Sequence, residues 1–208
     1  MLLPLGDRAL LIRYSETLSD IANRAALAAA QHLARNLPEG VEEVVPGLVS
    51  VMLRCGAGTD LGRLRGEVGL LLNEIDNEAP VSRTHRIGVS FDGADLAEVA
   101  AALSMPVAKF VERHNAAPLR VLATGFAPGF VYCGFHAADL VLPRRTSVRP
   151  MVPAGTVLFA AGQTAIAATP IRTGWHVIGR TTFQNFDASA EPPTRLAAGD
   201  DVVFEAVA

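Results

Sequence analysis

Lysine is nearly missing from this chain: of its 18 basic side chains only Lys109 is a lysine, and the other 17 are arginines. A Walker A phosphate loop needs Gly-x-x-x-x-Gly-Lys-Ser/Thr, and Val107-Ala108-Lys109-Phe110 has no glycine near it, so the chain carries no P-loop. Cysteine is scarce as well. Cys55 and Cys133 form neither a CxxC pair nor a dense disulfide pattern, and they read as small buried hydrophobes in a reducing, cytoplasmic compartment. There is no HExxH or comparable ligand spacing, so no metal is expected in this chain. No stretch reaches the ~18 apolar residues of a membrane span. The opening Met-Leu-Leu-Pro-Leu-Gly-Asp-Arg lacks the basic segment of a secretory leader, so neither a span nor a leader is expected. The formal net charge is −3 and the arginines are dispersed, which weighs against a nucleic-acid or membrane-surface partner.

What is present is a globular composition, with half of the 208 residues hydrophobic and length for one large or two small domains. Residues 8–13 form a strand-length apolar run. Ser19 then N-caps an alanine- and leucine-rich helix that stops near Leu37-Pro38. The runs 41–45 and 48–53 flank Pro46-Gly47 as a hairpin, and Asp60 to Ile75 places Leu61, Leu64, Val68, Leu71, Leu72 and Ile75 on one helical face. With a fourth strand at 85–91 the order becomes β-α-β-β-α-β, the split pattern of a ferredoxin-like domain. The Cys55-Gly56-Ala57-Gly58 loop lies where a dinucleotide fingerprint belongs, but the third glycine would fall at Leu61; Asp60 as a helix cap explains the loop better. Residues 95–103 and 106–115 read as two short helices bridging the halves. From Leu119 onward short apolar runs alternate with turn residues, which predicts an all-β barrel or sandwich. The fold class is therefore α+β, with a small α/β domain over 1–80, a bridge over 81–118 and a β domain over 119–208. Charge divides with it, at −4 for residues 1–80 (7 basic, 11 acidic) and +1 for 81–208 (11 basic, 10 acidic).

The chemistry concentrates in the positive half. Gly125-Phe126-Ala127-Pro128-Gly129-Phe130-Val131-Tyr132 packs two glycines, a proline and three aromatics into one turn, which predicts a rigid, shaped loop. Arg144, Arg145 and Arg149 follow, and guanidinium forks suit capture of a carboxylate or phosphate. Gly162-Gln163-Thr164 supplies amide and hydroxyl groups for a small amide, or simply a β-turn. Among the five histidines, His114 closes a predicted helix, where dipole complementation competes with catalysis. His136 follows the aromatic turn and His176 adjoins the only tryptophan, Trp175, so both are candidates to face a pocket; His32 and His85 read as structural. No Gly-x-Ser-x-Gly elbow provides a nucleophile.

Several motifs then fall in one recognisable order: Gly6-Asp7-Arg8-Ala9-Leu10, the 125–130 turn, Leu142-Pro143-Arg144-Arg145, Val152-Pro153-Ala154-Gly155-Thr156-Val157, Gly162-Gln163-Thr164, Gly174-Trp175-His176-Val177-Ile178-Gly179-Arg180-Thr181 and Gly199-Asp200-Asp201-Val202-Val203-Phe204. In these the chain resembles the family of the B-type component of 5-oxoprolinase, also described as allophanate hydrolase subunit 1 or the sporulation-kinase-inhibitor family. The resemblance implies a small α/β domain followed by a cyclophilin-like β-barrel. It also implies one member of a heteromeric complex that, with C-type and A-type partners, opens 5-oxo-L-proline to L-glutamate at the expense of ATP bound elsewhere in the complex. Among the residues at or near these motifs, His114 or His176 is the candidate for proton handling. Phe126, Pro128, Phe130, Arg144, Arg145, Gln163, Thr164, Trp175 and Arg180 are the candidates for substrate binding. The alternatives are a module that inhibits a sensor histidine kinase and a component that acts on allophanate or other urea-derived amides. One departure stands out: where the family pattern expects a Gly-Gly-Leu-like turn, this chain has Cys133-Gly134-Phe135-His136.

Overall fold

The computed structural model describes residues 1–75 and 82–207. The chain divides into two compact units, Met1–Val81 and Ser82–Ala208. The expected boundary at residues 80 and 81 lies outside the described residues.

The first unit contains β1 (Leu2–Pro4), β2 (Ala9–Arg13), α1 (Asp20–Arg35), β3 (Val41–Pro46), β4 (Ser50–Cys55) and α2 (Leu61–Leu72). Ser19 caps α1 by accepting from the Ala22 amide, and Asp60 caps α2 by accepting from the amides of Gly62 and Arg63. The β3–β4 hairpin turns at Gly47, whose amide donates to Ser50 O at 2.7 Å. The sheet order is β1-β2-β4-β3, every neighbouring pair antiparallel, so β2 and β3 run parallel with β4 between them. This is the split β-α-β arrangement, with one correction. The fourth strand is not 85–91; β1 takes that edge position, supplied from the N-terminal end. The alanine-rich face of α1 buries Ala26, Ala29, Ala30 and Leu33 against Leu10, Val51 and Leu53, because alanine lets helix and sheet approach closely.

The second unit begins with β5 (Thr84–Val89), the run counted above as the fourth strand of the ferredoxin-like pattern. It pairs instead, in parallel and over six residues, with the last strand, β13 (Asp201–Ala206). Periodicity identifies a strand but not its partner, and this partner lies more than a hundred residues away. α3 (Leu96–Ala102) and α4 (Val107–His114) belong to this unit too, since Leu96, Val99, Ala100 and Phe110 sit in its core rather than bridging two halves. The remaining strands are β6 (Leu119–Thr124), β7 (Val131–Gly134), β8 (Arg149–Val152), β9 (Thr156–Ala160), β10 (Gln163–Ile166), β11 (Ile171–Thr173) and β12 (His176–Arg180).

Seven of these strands make one curled sheet in the order β12-β9-β10-β7-β6-β13-β5. Its two edges meet at one bridge, where the Ser90 amide donates to Arg180 O at 2.9 Å and the Arg180 amide donates to Ser90 O at 3.0 Å. Glycine makes the seam possible: a Cβ on Gly179 would lie 2.4 Å from Ser90 O, and one on Gly93 would lie 2.3 Å from the Ile178 carbonyl carbon. Alternation then assigns the faces. Val131, Cys133, Val157, Phe159, Ile166 and Ile178 point inward onto α3 and α4, while Leu158, Ala160, Ala165 and Ala167 point outward and are covered by the β8–β11 ribbon. Full burial of Phe110 and Phe159 contributes about 1.5–3 kcal/mol each.

Candidate functional site

The residues singled out from sequence separate onto the two faces of the curled sheet. On the outer face the 125–130 turn builds an aromatic ladder. Gly125, Phe126 and Gly129 all take positive φ (+116°, +74° and +66°), and for Phe126 the left-handed backbone is strained. The strain aims its ring outward, 72% exposed. Ring contacts then run from Phe126 to Phe130 (5.3 Å), Phe130 to Tyr132 (4.9 Å) and Tyr132 to Trp175 (5.9 Å). The Arg144 guanidinium ends the ladder 5.7 Å from the Trp175 ring. Pro128 sits exposed in the same turn. Gln163 shares this face: its residue is buried, and its Oε1 has no partner among the described residues.

The two adjacent arginines have different tasks. Arg145 donates to Asp95 Oδ1 at 2.7 Å, and Arg149 bonds both oxygens of the same carboxylate. The Asp95 Oδ2 also accepts from the Val177 amide at 2.8 Å. Burial alone would raise this carboxyl, but the Val177 amide and the Arg149 and Arg145 guanidiniums outweigh it and hold it below the usual carboxylate range. Asp95 is thus a structural anchor that ties the 145–149 segment to the start of α3. Sequence reasoning missed it; its only local signal was an acid at a helix start. Arg144 is exposed and has no acidic partner among the described residues. It lines a cavity of about 220 Å³ with Leu142, Pro143, Arg145, Ser147 and His176.

His176 is buried, and its Nε2 lies 3.1 Å from Pro143 O. A carbonyl only accepts, so Nε2 donates, and Nδ1 has no partner among the described residues. Arg180 stands apart from this group in an exposed ion pair with Asp92 at 2.7 Å.

On the inner face His114, His136 and Thr164 form a polar cluster in an otherwise apolar core. His114 Nε2 and His136 Nε2 lie 2.7 and 2.8 Å from Thr164 Oγ1, and His114 Nδ1 lies 2.7 Å from Asn115 Oδ1. Phe159, Phe110, Phe91 and Phe204 surround the His114 ring. Burial pushes the His114 imidazole down to about 4. Burial, and then repulsion from His114, pushes His136 down to about 3. Both are neutral near pH 7. Thr164 therefore faces two histidines rather than the outer face. Burial likewise pushes the Cys133 thiol beside them up to about 12, leaving it inert.

The family model for the carboxyltransferase domain, subdomains C and D, matches residues 1–196. The chain belongs to this family. It is 31% identical to the B-type component of 5-oxoprolinase from Bacillus subtilis (strain 168), over 96% of this chain and 90% of that protein. It is also 31% identical to the corresponding 5-oxoprolinase component of Escherichia coli O157:H7, over 96% of this chain and 93% of that one. Among solved structures, TTHA0988 superposes with a TM-score of 0.84 at 35% identity; the match covers 97% of this chain but spans only 40% of that one. Kluyveromyces lactis urea amidolyase shares the fold alone, at a TM-score of 0.77 and 15% identity over 99% of this chain and 15% of that one. These findings bear out the family resemblance read from the motifs and the α+β fold it implied. Among the described residues no helix is long and apolar enough to cross a membrane.

Proposed function

We infer that this chain is one component of an ATP-dependent 5-oxoprolinase, a hydrolase that opens a cyclic amide to an amino dicarboxylate, and that it works in the cytoplasm with C-type and A-type partners. The observation that carries the reading is 31% identity, over 96% of the chain, with two proteins named as the B-type component of 5-oxoprolinase. The site chemistry supports it. A small lactam with a carboxylate offers one negative charge and one amide. Arg144, whose guanidinium lies 5.7 Å from the Trp175 ring and has no acidic partner among the described residues, lines a cavity of about 220 Å³ together with Glu98. In this reading Arg144 pairs with the carboxylate, while Arg145 holds Asp95 and shapes the wall. Gln163 Oε1, on the ladder face, and His176 Nδ1, beside the cavity, are buried polar atoms with no partner among the described residues.

Opening the lactam needs its carbonyl carbon activated, and transfer of phosphate from ATP to the amide oxygen makes that carbon open to water. The chain has no P-loop, so ATP belongs to a partner in this scheme and this chain alone is inactive. The test is reconstitution with the partner proteins. ATP-dependent glutamate release from 5-oxo-L-proline that needs all components supports the reading, and no release from a fully assembled complex refutes it.

A further inference from the structure

Of His114, His136 and His176, only His136 is not fully buried. His114 is 1% exposed and has both nitrogens engaged, with Asn115 and Thr164. His176 is latched to Pro143 O, and its remaining Nδ1 is shielded. His136 is half-buried and uses Nε2 on Thr164; its Nδ1 has no partner among the described residues.

The cluster also fixes which protons sit where. Asn115 presents a carbonyl oxygen to His114 Nδ1, and a carbonyl oxygen only accepts, so His114 carries its proton on Nδ1 and leaves Nε2 as an acceptor. Thr164 has a single hydroxyl proton, which must go to that acceptor. Its oxygen can then only accept from His136, so His136 carries its proton on Nε2. What remains on His136 is a lone pair at Nδ1. The ring is also held in place: its own backbone amide donates to Gly162 O at 3.0 Å, and its centroid lies 4.7 Å from the His114 ring and 5.4 Å from the Phe159 ring.

We propose that Thr164 is a positioning residue that locks His136 in the Nε2–H tautomer, so that His136 Nδ1 is a fixed, uncharged acceptor for a ligand N–H of the amide or ureido class. The tautomer lock stands on this geometry alone, whereas the ligand class rests on the functional reading above. The same network explains why a histidine fills the place where a Gly-Gly-Leu-like turn was expected: β7 delivers residue 136 beside a hydroxyl already committed to His114. An acceptor at this point discriminates by hydrogen-bond count, since a ligand lacking the N–H leaves the nitrogen unpaired.

The test is long-range proton–nitrogen correlation at pH 7 on the full chain labelled with 15N-histidine. The wild-type chain is expected to show His136 protonated at Nε2 and His114 at Nδ1. Thr164→Ser should keep that pattern, and Thr164→Val should give mixed tautomers at His136. The opposite tautomer at His136 in the wild-type chain overturns the lock even if the valine variant does not fold. Titration with 5-oxo-L-proline and with its N-methyl derivative, before and after reconstitution with the partner proteins, tests the ligand class. The N–H compound should move the His136 Nδ1 resonance, and the N-methyl compound should bind about tenfold more weakly. Equal responses, or none, overturn the assignment. If the reconstituted enzyme still releases glutamate in that case, the assignment falls and the functional reading stands.

Discussion

Acidification should weaken the second unit in a window that the buried His114 sets. In an unfolded chain this imidazole takes a proton near pH 6.5, whereas the fold delays that to about 4 because burial penalises the charged ring. A base whose folded pKa is lowered contributes nothing against folding above 6.5. Below that, the unfolded state binds the proton first, and stability falls until the folded pKa is reached. The span of roughly 2.5 pH units at about 1.4 kcal/mol per unit gives a loss of about 3 kcal/mol from this ring. That is a large share of a typical net stability of ~5–15 kcal/mol. Asp95 and Asp200, also held low, act in a different window: their contribution is present above the ordinary carboxylate pKa and is lost only below about 4. The range between 6.5 and 4 therefore isolates the histidines. Trp175 is the only tryptophan and lies in the second unit's outer cluster, so urea unfolding followed by its fluorescence reads this unit directly. His114→Gln should be less stable at pH 7, yet its stability should decline less steeply between pH 6 and 4.5, by about 1.4 kcal/mol per pH unit. Equal slopes in the variant and the wild-type chain would refute the assignment of a buried neutral His114.

The remaining predictions concern the seam, the anchor and the ladder. Gly179→Ala places a methyl 2.4 Å from Ser90 O and should cost more than ~2 kcal/mol by chemical denaturation, while Gly66→Ala, in a helix with open space around it, should be neutral or stabilise by up to ~1 kcal/mol. Asp95→Ala leaves Arg145 and Arg149 without their shared carboxylate and should cost about 3–5 kcal/mol, whereas Arg144→Ala should leave stability within ~0.5 kcal/mol and instead raise KM for the carboxylate substrate in a reconstituted assay. Phe126→Gly removes the positive-φ strain and little buried area, so it should raise the unfolding free energy from urea titration by ~1 kcal/mol.

Local signals in the sequence carried the elements well. The Ser19 and Asp60 caps, the Pro46-Gly47 turn and the alanine-rich face of α1 are each decided by neighbours within a few residues, and each appears where the residues place it. The partner of Thr84–Val89 was not legible, because a parallel pairing with Asp201–Ala206 depends on closure of the whole barrel and leaves no local mark. The site divides in the same way. The glycines and aromatics of 125–132 announced a shaped turn because its backbone needs them. The different tasks of Arg144 and Arg145, adjacent in sequence, follow from Asp95 some fifty residues earlier. The pairing of His114 with His136 through Thr164 likewise joins three separate segments, and only the fold reveals that Thr164 points inward while Gln163 next to it shares the ladder face.

Hydrolysis of a cyclic amide by an assembled complex is read most directly as glutamate release by this chain reconstituted with C-type and A-type proteins, with 5-oxo-L-proline and allophanate offered in parallel. ATP-dependent release from 5-oxo-L-proline that disappears when this chain is omitted is the expected result. Turnover of allophanate alone, or release that persists without this chain, would contradict it.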